Sequence, residues 1–291
     1  MSRNLIARLI VAAIAIPAIL WICYEGGWWL FGMFGLFATV GALEFLVAEG
    51  YSVRRPSFWW TLFATVGCYL LMASVGPDHD NKLGSIIGIF SALASSMTVF
   101  VIVLLVGGMV FAIGRSNPSA LFGRYTRLLW GVAYVGVLYG VVYHLGVFHF
   151  ERLLIPPGDR LLFLFALLWV GDTAAMWGGK AFGKHKLAPT VSPNKTVEGF
   201  ISGIVGALVI GVVMYFWKLD TLPWYQVLVI AFGASVFGQL GDLVESMWKR
   251  SLDIKDSSAI IPGHGGVLDR FDSLLFAAPF MLFYMILIDT L

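Results

Sequence analysis

Charge is scarce in this sequence. Asp, Glu, Lys and Arg together make up 12% of its 291 residues and the net charge is only +2, against roughly 25% charged residues in an ordinary soluble domain. So small and dispersed a balance excludes the basic footprint of a nucleic-acid-binding protein. Cysteine is scarcer still. Cys23 and Cys68 are the only two; both sit in apolar runs, which argues against a disulfide framework or a thiolate metal site and leaves them as packing residues. Also missing are a Walker A loop, a G-x-G-x-x-G turn after a strand, a zinc-ligand pair and a nucleophile elbow. Soluble nucleotide-binding folds and covalent hydrolases therefore find no support. No internal repeat or low-complexity tract is visible.

What is abundant is apolar. Hydrophobic residues make up 59% of the chain and the mean hydropathy is +0.86. At roughly 20 apolar residues per crossing of a bilayer core about 30 Å thick, that suffices for roughly eight or nine spans. Long apolar runs predict helices at about 5–24, 28–47, 58–75, 85–113, 129–149, 160–179, 200–217, 224–247 and 272–290. The first follows Arg3 and Arg8 but continues to about Tyr24 without a small-residue cleavage site, so it reads as a retained helix and not a signal peptide. The fourth is long for one crossing and is tilted or broken near Gly107 and Gly108. The expected fold is all-α, a polytopic transmembrane bundle of about nine helices forming one integral membrane domain. Residues 1–150 would supply five supporting helices, and residues 151–291 four helices with the catalytic loops.

Nine helices sort the basic residues into two sets. Arg3, Arg8, Arg54, Arg55, Arg115, Arg124, Arg127, Lys180, Lys184, Lys186, Lys195, Lys249, Arg250, Lys255 and Arg270 fall on one side, and Lys82, Arg152, Arg160 and Lys218 on the other. The positive-inside rule then puts the N-terminus in the cytoplasm and the C-terminus outside. Glycine, with 33 residues, recurs at helical spacing, as at Gly199, Gly203 and Gly206, then Gly238 and Gly241. Such spacing indicates close helix packing through small residues.

Against this background the polar residues of two segments stand out. Asp172 lies in an otherwise apolar span, where a carboxylate is costly unless it faces a cavity or a structural salt-bridge partner. After it come Lys180, Lys184, His185, Lys186, Ser192, Lys195, Thr196 and Glu198. Thr196 also suits a helix N-cap, and the lysines equally suit a patch attracted to anionic lipid headgroups. In the second segment Asp242, Glu245, Ser246 and Lys249 share one helix face. Gly263, His264, Gly265 and Gly266 form a loop able to approach an anion closely. Asp269 and Asp272 open the last span, where an N-cap and a helix-dipole partner are the plain alternatives. Four acids at the ends of two spans, flanked by Lys249, Arg250, Lys255 and Arg270, suit a divalent cation with phosphates. Magnesium favours such a mixture of few carboxylates, waters and phosphate oxygens.

The run from Ser246, Lys249 and Arg250 through Lys255, Asp256, Pro262, Gly263, His264, Gly265 and Gly266 to Asp269, Arg270, Phe271 and Asp272 closely resembles the signature of the CDP-diacylglycerol synthases, or phosphatidate cytidylyltransferases. Asp172, Lys180 and Gly183, with Ser192, Pro193, Lys195, Thr196, Glu198 and Gly199, resemble that family's upstream stretch. Met176 and Lys180 stand where many members have Tyr and Arg, and Lys180 lacks the planar fork that grips phosphate in two places. Asn194 stands at a variable position. The match covers about residues 170–273, and the first five spans agree only in hydropathy.

The resemblance implies attack of phosphatidate on CTP, giving CDP-diacylglycerol and pyrophosphate in phospholipid biosynthesis, with Mg2+ required and a monovalent cation such as K+ as a second ion. It implies Asp242 and Asp269 as the main metal ligands, joined by Asp272, and a homodimer, on which the residues themselves are silent. The further expectation is that Lys195, Lys249, Arg250 and Arg270 meet phosphates, while Ser192, Thr196 and His264 shape the nucleotide loop. Asp172, Lys180, Glu245, Ser246, Lys255, Gly265 and Gly266 would complete substrate binding. CTP is cytosolic and acyl chains stay in the bilayer, so the site should face the cytoplasm from an integral inner or plasma membrane protein. Rival readings are a CTP-dependent polyprenol or phytol kinase, a CDP-archaeol synthase, and a transporter or scaffold whose acids form an ion path.

Overall fold

A computed structural model describes residues 3–74, 118–150, 152–261, 263 and 265–290. The predicted span 85–113, the neighbouring Lys82 and Arg115, and His264 lie outside the described residues. The helices are α1 (Arg3–Glu25), α2 (Gly27–Ala48), α3 (Pro56–Ser74), α4 (Pro118–Val132), α5 (Leu138–Val147), α6 (Pro157–Phe182), α7 (Val197–Trp217), α8 (Trp224–Ser251) and α9 (Leu268–Thr290). One π-helical turn, Ala133–Val137, joins α4 to α5. Among the described residues, seven helical segments are long and apolar enough to cross a membrane: Gly27–Ala48, Pro56–Ser74, Thr126–Val147, Pro157–Phe182, Val197–Trp217, Trp224–Ser251 and Leu268–Thr290. The protein is thus an integral membrane bundle of apolar helices. In α1 the apolar part is the shorter Val11–Glu25.

One element departs from the all-helical expectation. Between α6 and α7 lies an antiparallel hairpin of β1 (Lys186–Ala188) and β2 (Ser192–Thr196), with Lys186 opposite Thr196 and Ala188 opposite Ser192. Hydropathy cannot reveal strands this short in a polar segment. The helices bearing the polar motifs also run past the apolar runs that announced them. Lys249 and Arg250 belong to α8, and Asp269 to α9, because a helix continues through interfacial charge where a hydropathy window ends.

The chain forms two compact units. In Phe31–His144, glycines bring helices together: a Cβ at Gly136 would lie 2.6 Å from the Thr65 carbonyl oxygen, and one at Gly140 2.6 Å from Met72 Cβ. The buried His144 ring meets the Met72 carbonyl at 2.6 Å, and the Tyr69 hydroxyl donates to the Phe31 carbonyl at 2.6 Å.

The other unit, Met1–Leu30 with Leu145–Leu291, holds α6 to α9. Gly203 lies where a Cβ would be 3.1 Å from Ala175 Cβ and 3.0 Å from Gln239 Nε2, and the Gly206 position faces Ala174 as closely. The spaced glycines therefore act as packing residues, as their spacing predicted. Gln239 donates to the Phe200 carbonyl at 3.2 Å and so ties α8 to α7.

At the end of this unit away from the hairpin sits a polar clamp. The Tyr24 hydroxyl donates to Asp159 at 2.6 Å, and Lys218 Nζ lies 3.3 Å from the same carboxylate. The buried Arg160 donates to the carbonyls of Ile155, Leu145 and Phe148 and stacks on Phe150. Asp289 Oδ1 accepts the Arg152 and Leu153 amides at 2.7 and 3.1 Å. Each connecting segment there is held by a charged group whose hydrogen-bonding needs are met inside the protein.

Candidate functional site

The polar residues gather where α6 ends, α7 and α9 begin and α8 ends, all within the second unit. Two clusters can be distinguished. The first is open. Lys195, on β2, reaches Asp242 of α8, Nζ to Oδ2 at 2.6 Å, with both side chains about one-third exposed. Ser246, one turn on, donates to Asp242 Oδ1 at 3.3 Å. Asp172 of α6 is solvent-exposed and makes no direct ion pair among the described residues, yet Asp272, Asp242, Lys195 and Arg270 all lie within its electrostatic reach. It stands at the edge of the open cluster and not in a structural salt bridge.

The second cluster is closed. Lys249 Nζ lies 2.7 Å from Asp269 Oδ1 and 3.3 Å from Glu245 Oε1, and these side chains are 12%, 3% and 0% exposed respectively. Asp269 Oδ2 accepts three more hydrogen bonds, from the Ser257 amide at 2.9 Å, the Ser257 hydroxyl at 3.0 Å and the Gly266 amide at 2.8 Å. Asp269 is therefore no simple N-cap, since its donors lie before it in the chain and on α8. It pins the loop between α8 and α9. The glycine loop turns its Gly266 amide onto this protein carboxylate, and Gly265, at φ +83°, has no room for a side chain: a Cβ would sit 2.8 Å from Asp269 Oδ2. Asp272 stands beside Glu245 and Asp242 and accepts the Ser273 amide at 2.7 Å.

The i, i+4 pairs predicted on α8 are both present, but they face different ways. Asp242 with Ser246 looks toward β2, and Glu245 with Lys249 toward α9. What lets α9 approach is Gly241, where a Cβ would lie 2.6 Å from the Asp272 carbonyl oxygen. Gly241→Ala is accordingly expected to push α9 away. Overpacking of this kind costs about 1–3 kcal/mol, and it should appear as a lower melting temperature together with a turnover loss of roughly tenfold, the rate equivalent of about 1.4 kcal/mol. Unchanged turnover would show that Asp272 tolerates displacement.

The remaining predicted residues lie apart from the acids. Lys180 is exposed, with its ammonium 5.6 Å from the Trp177 ring centre. Arg250 donates to the Ile254 carbonyl at 2.8 Å and closes the end of α8. Lys255 is exposed. None of these three pairs with an acid among the described residues. Ser192 begins β2, and Thr196 is the N-cap of α7, accepting the Gly199 amide at 3.1 Å. Ser257, absent from the expected set, supplies two of the donors to Asp269. Its place just after Lys255 and Asp256 in the same polar run was the available signal. Glu198 likewise holds the hairpin, accepting the Lys184 amide and meeting His185 Nδ1 at 2.6 Å.

Taken together, the carboxylates of Asp172, Asp242, Glu245, Asp269 and Asp272 face the cations Lys195, Lys249 and Arg270. Carboxylates outnumber cations here five to three, a donor set into which an added cation would fit. No three His, Cys, Asp or Glu side chains among the described residues converge into an ion cage.

Comparison with known proteins identifies the family. The model of the cytidylyltransferase family matches residues 6–288. A phosphatidate cytidylyltransferase of Staphylococcus aureus (strain COL) is 34% identical over 275 residues, spanning 94% of this chain and 96% of the relative. That of Staphylococcus haemolyticus (strain JCSC1435) is 38% identical over 236 residues, covering 76% of this chain and 87% of the relative. The Bacillus subtilis (strain 168) protein of the same name reaches 53% identity over 121 residues, 42% of this chain and 45% of its own.

Proposed function

The chain belongs to the cytidylyltransferase family, and from that premise we propose how and where it works. It is a membrane phosphatidate cytidylyltransferase, converting CTP and phosphatidate to CDP-diacylglycerol and pyrophosphate. An oxygen of the lipid phosphate bonds to the α-phosphorus of CTP, the bond from that phosphorus to the bridging oxygen of the β-phosphate breaks, and pyrophosphate leaves. The nucleophile is already anionic near neutral pH, so no strong base is needed. The obstacle is repulsion between two polyanions.

The observation that carries the proposed site is the open cluster in which Lys195 and Arg270 stand among Asp172, Asp242 and Asp272. Lys195 and Arg270 bind and align the phosphates, and Asp242 holds Lys195 in place until substrate arrives. Asp242 and Asp272 would hold Mg2+, with Asp172 close by; Asp269 joins them only if Lys249 gives up Oδ1. Bound there, the ion would supply charge neutralisation at the triphosphate. The buried Glu245, Lys249 and Asp269 hold α8, α9 and the glycine loop in register. The family resemblance supports K+ as a second ion and a homodimer, which the mass of the detergent-extracted protein would test.

The distribution of Lys and Arg supports nine spans with a cytoplasmic N-terminus and a cytoplasmic site, where CTP is available. A reporter active only outside the membrane, fused after Leu291, tests that orientation and should be active. The reaction is tested with purified protein, labelled CTP, phosphatidate and magnesium. CDP-lipid and pyrophosphate are expected in equal amounts. Release of CDP with a lipid alcohol as acceptor would instead identify a kinase, preference for an archaeal ether lipid would identify a CDP-archaeol synthase, and no reaction with any lipid would return the chain to the transporter or scaffold class.

A further inference from the structure

The end of α6 and the β1–β2 hairpin carry more positive charge than the open cluster uses. Lys195 is committed to Asp242, but Lys180, Lys184 and Lys186 are exposed and pair with no acid among the described residues. Two large apolar side chains at the end of α6, Trp177 and Phe182, are 64% and 69% exposed beside them. Glu198, the acid that follows the hairpin, is already taken by His185 and the Lys184 amide.

The hairpin presents these lysines on a fixed frame. The two strands are paired, Lys186 Nζ donates to the Pro193 carbonyl at 2.6 Å, and the Val197 amide donates to the His185 carbonyl at 2.9 Å. Both flanking helices, α6 and α7, are apolar membrane segments, so their connection emerges at the bilayer surface. Unpaired ammonium groups next to exposed aromatic rings at that depth match an interface of anionic headgroups over acyl chains.

From this we propose that the β1–β2 hairpin is a docking element for the anionic lipid surface of the surrounding bilayer, distinct from the catalytic cleft and recognising headgroup charge without converting the lipid. The proposal rests on the membrane placement of α6 and α7 and not on the cytidylyl-transfer chemistry. Because Lys195 lies on β2 and ends on Asp242, a docked hairpin also steadies one wall of the cleft.

The test uses the full chain in vesicles of phosphatidylcholine, alone or mixed with phosphatidylglycerol. Thr190, exposed at the hairpin tip, is replaced by Cys and labelled with a polarity-sensitive fluorophore; the native Cys23 and Cys68 are buried. Phosphatidylglycerol should shift the emission to the blue. About 1 M salt, where the Debye length is about 3 Å, should reverse the shift. Each lysine at an anionic surface is worth about fivefold in surface occupancy, so the K184Q/K186Q variant should lower it by roughly twenty-five-fold and lose the shift.

With the phosphatidate fraction held fixed, the unsubstituted chain should turn over faster in phosphatidylglycerol vesicles. K184Q/K186Q should match it in pure phosphatidylcholine and gain nothing from the added lipid. An emission that ignores phosphatidylglycerol, or a shift that survives in K184Q/K186Q, would overturn the docking role. A chain that shifts its emission but makes no CDP-lipid in either vesicle would overturn the assigned reaction and leave the docking role standing.

Discussion

Asp269→Asn is expected to abolish CDP-diacylglycerol formation, with turnover falling by roughly a hundredfold or more, equivalent to about 3 kcal/mol at the transition state. The reason is an arithmetic of acceptors. Asp269 receives Lys249 on Oδ1 and three protein donors on Oδ2. An asparagine side chain has one acceptor oxygen and one amino group. If the oxygen faces Lys249, the amino group meets Ser257 and Gly266 donor to donor; if it faces them, the amino group meets an ammonium. Either way the glycine loop or Lys249 is released. The helices are packed elsewhere, so the variant should still be extracted as folded protein with unchanged helical circular dichroism. Near-normal turnover in such a sample would remove Asp269 from the site.

Lys249→Met should have the largest effect on stability. It removes the cation shared by Glu245 and Asp269, with Asp272 beside Glu245, and Glu245 has no exposed surface and accepts no hydrogen bond. Stranding a buried charge in this way costs about 3–5 kcal/mol. The fall in melting temperature should be partly repaired by a second change, Glu245→Gln, which removes one of the stranded charges. Turnover should not recover, because Asp269 still lacks its partner. Additive losses in the double variant would mean that Glu245 and Lys249 do not act on one another.

How much of this was legible in the sequence depends on the range of the interactions. Seven of the expected spans were legible because about twenty apolar residues in a row have few other uses. The pairs on α8 were legible because i, i+4 spacing fixes what shares a face. The glycine contacts between α6 and α7 could be read as packing, though not with their partners. Partners across elements were beyond reach. Nothing local says that Lys195 would end on Asp242, 47 positions later in the numbering, or that Ser257 would face Asp269. The same limit explains why Lys249, expected on a phosphate, lies between two acids, and why Thr196 is engaged as a cap. The hairpin was illegible for another reason, since its strands are held by their own ladder and a few side-chain bonds and not by an alternating apolar face.

The polar clamp formed by Tyr24, Asp159, Arg160, Lys218 and Asp289 bears on how the protein moves. It ties the starts of α6 and the ends of α7 and α9 with charged, buried or half-buried contacts. At the opposite rim α8 is tied to α9 by the buried Lys249 and Asp269, whereas the hairpin that leads into α7 meets α8 through a part-exposed lysine on aspartate. A barrel of staves hooped at one end can spread only at the other. Admission of a two-tailed lipid and release of a bulkier one should therefore proceed by splaying at the hairpin rim. In amide hydrogen exchange, the first turn of α7 should open far more often than the last turn of the same helix.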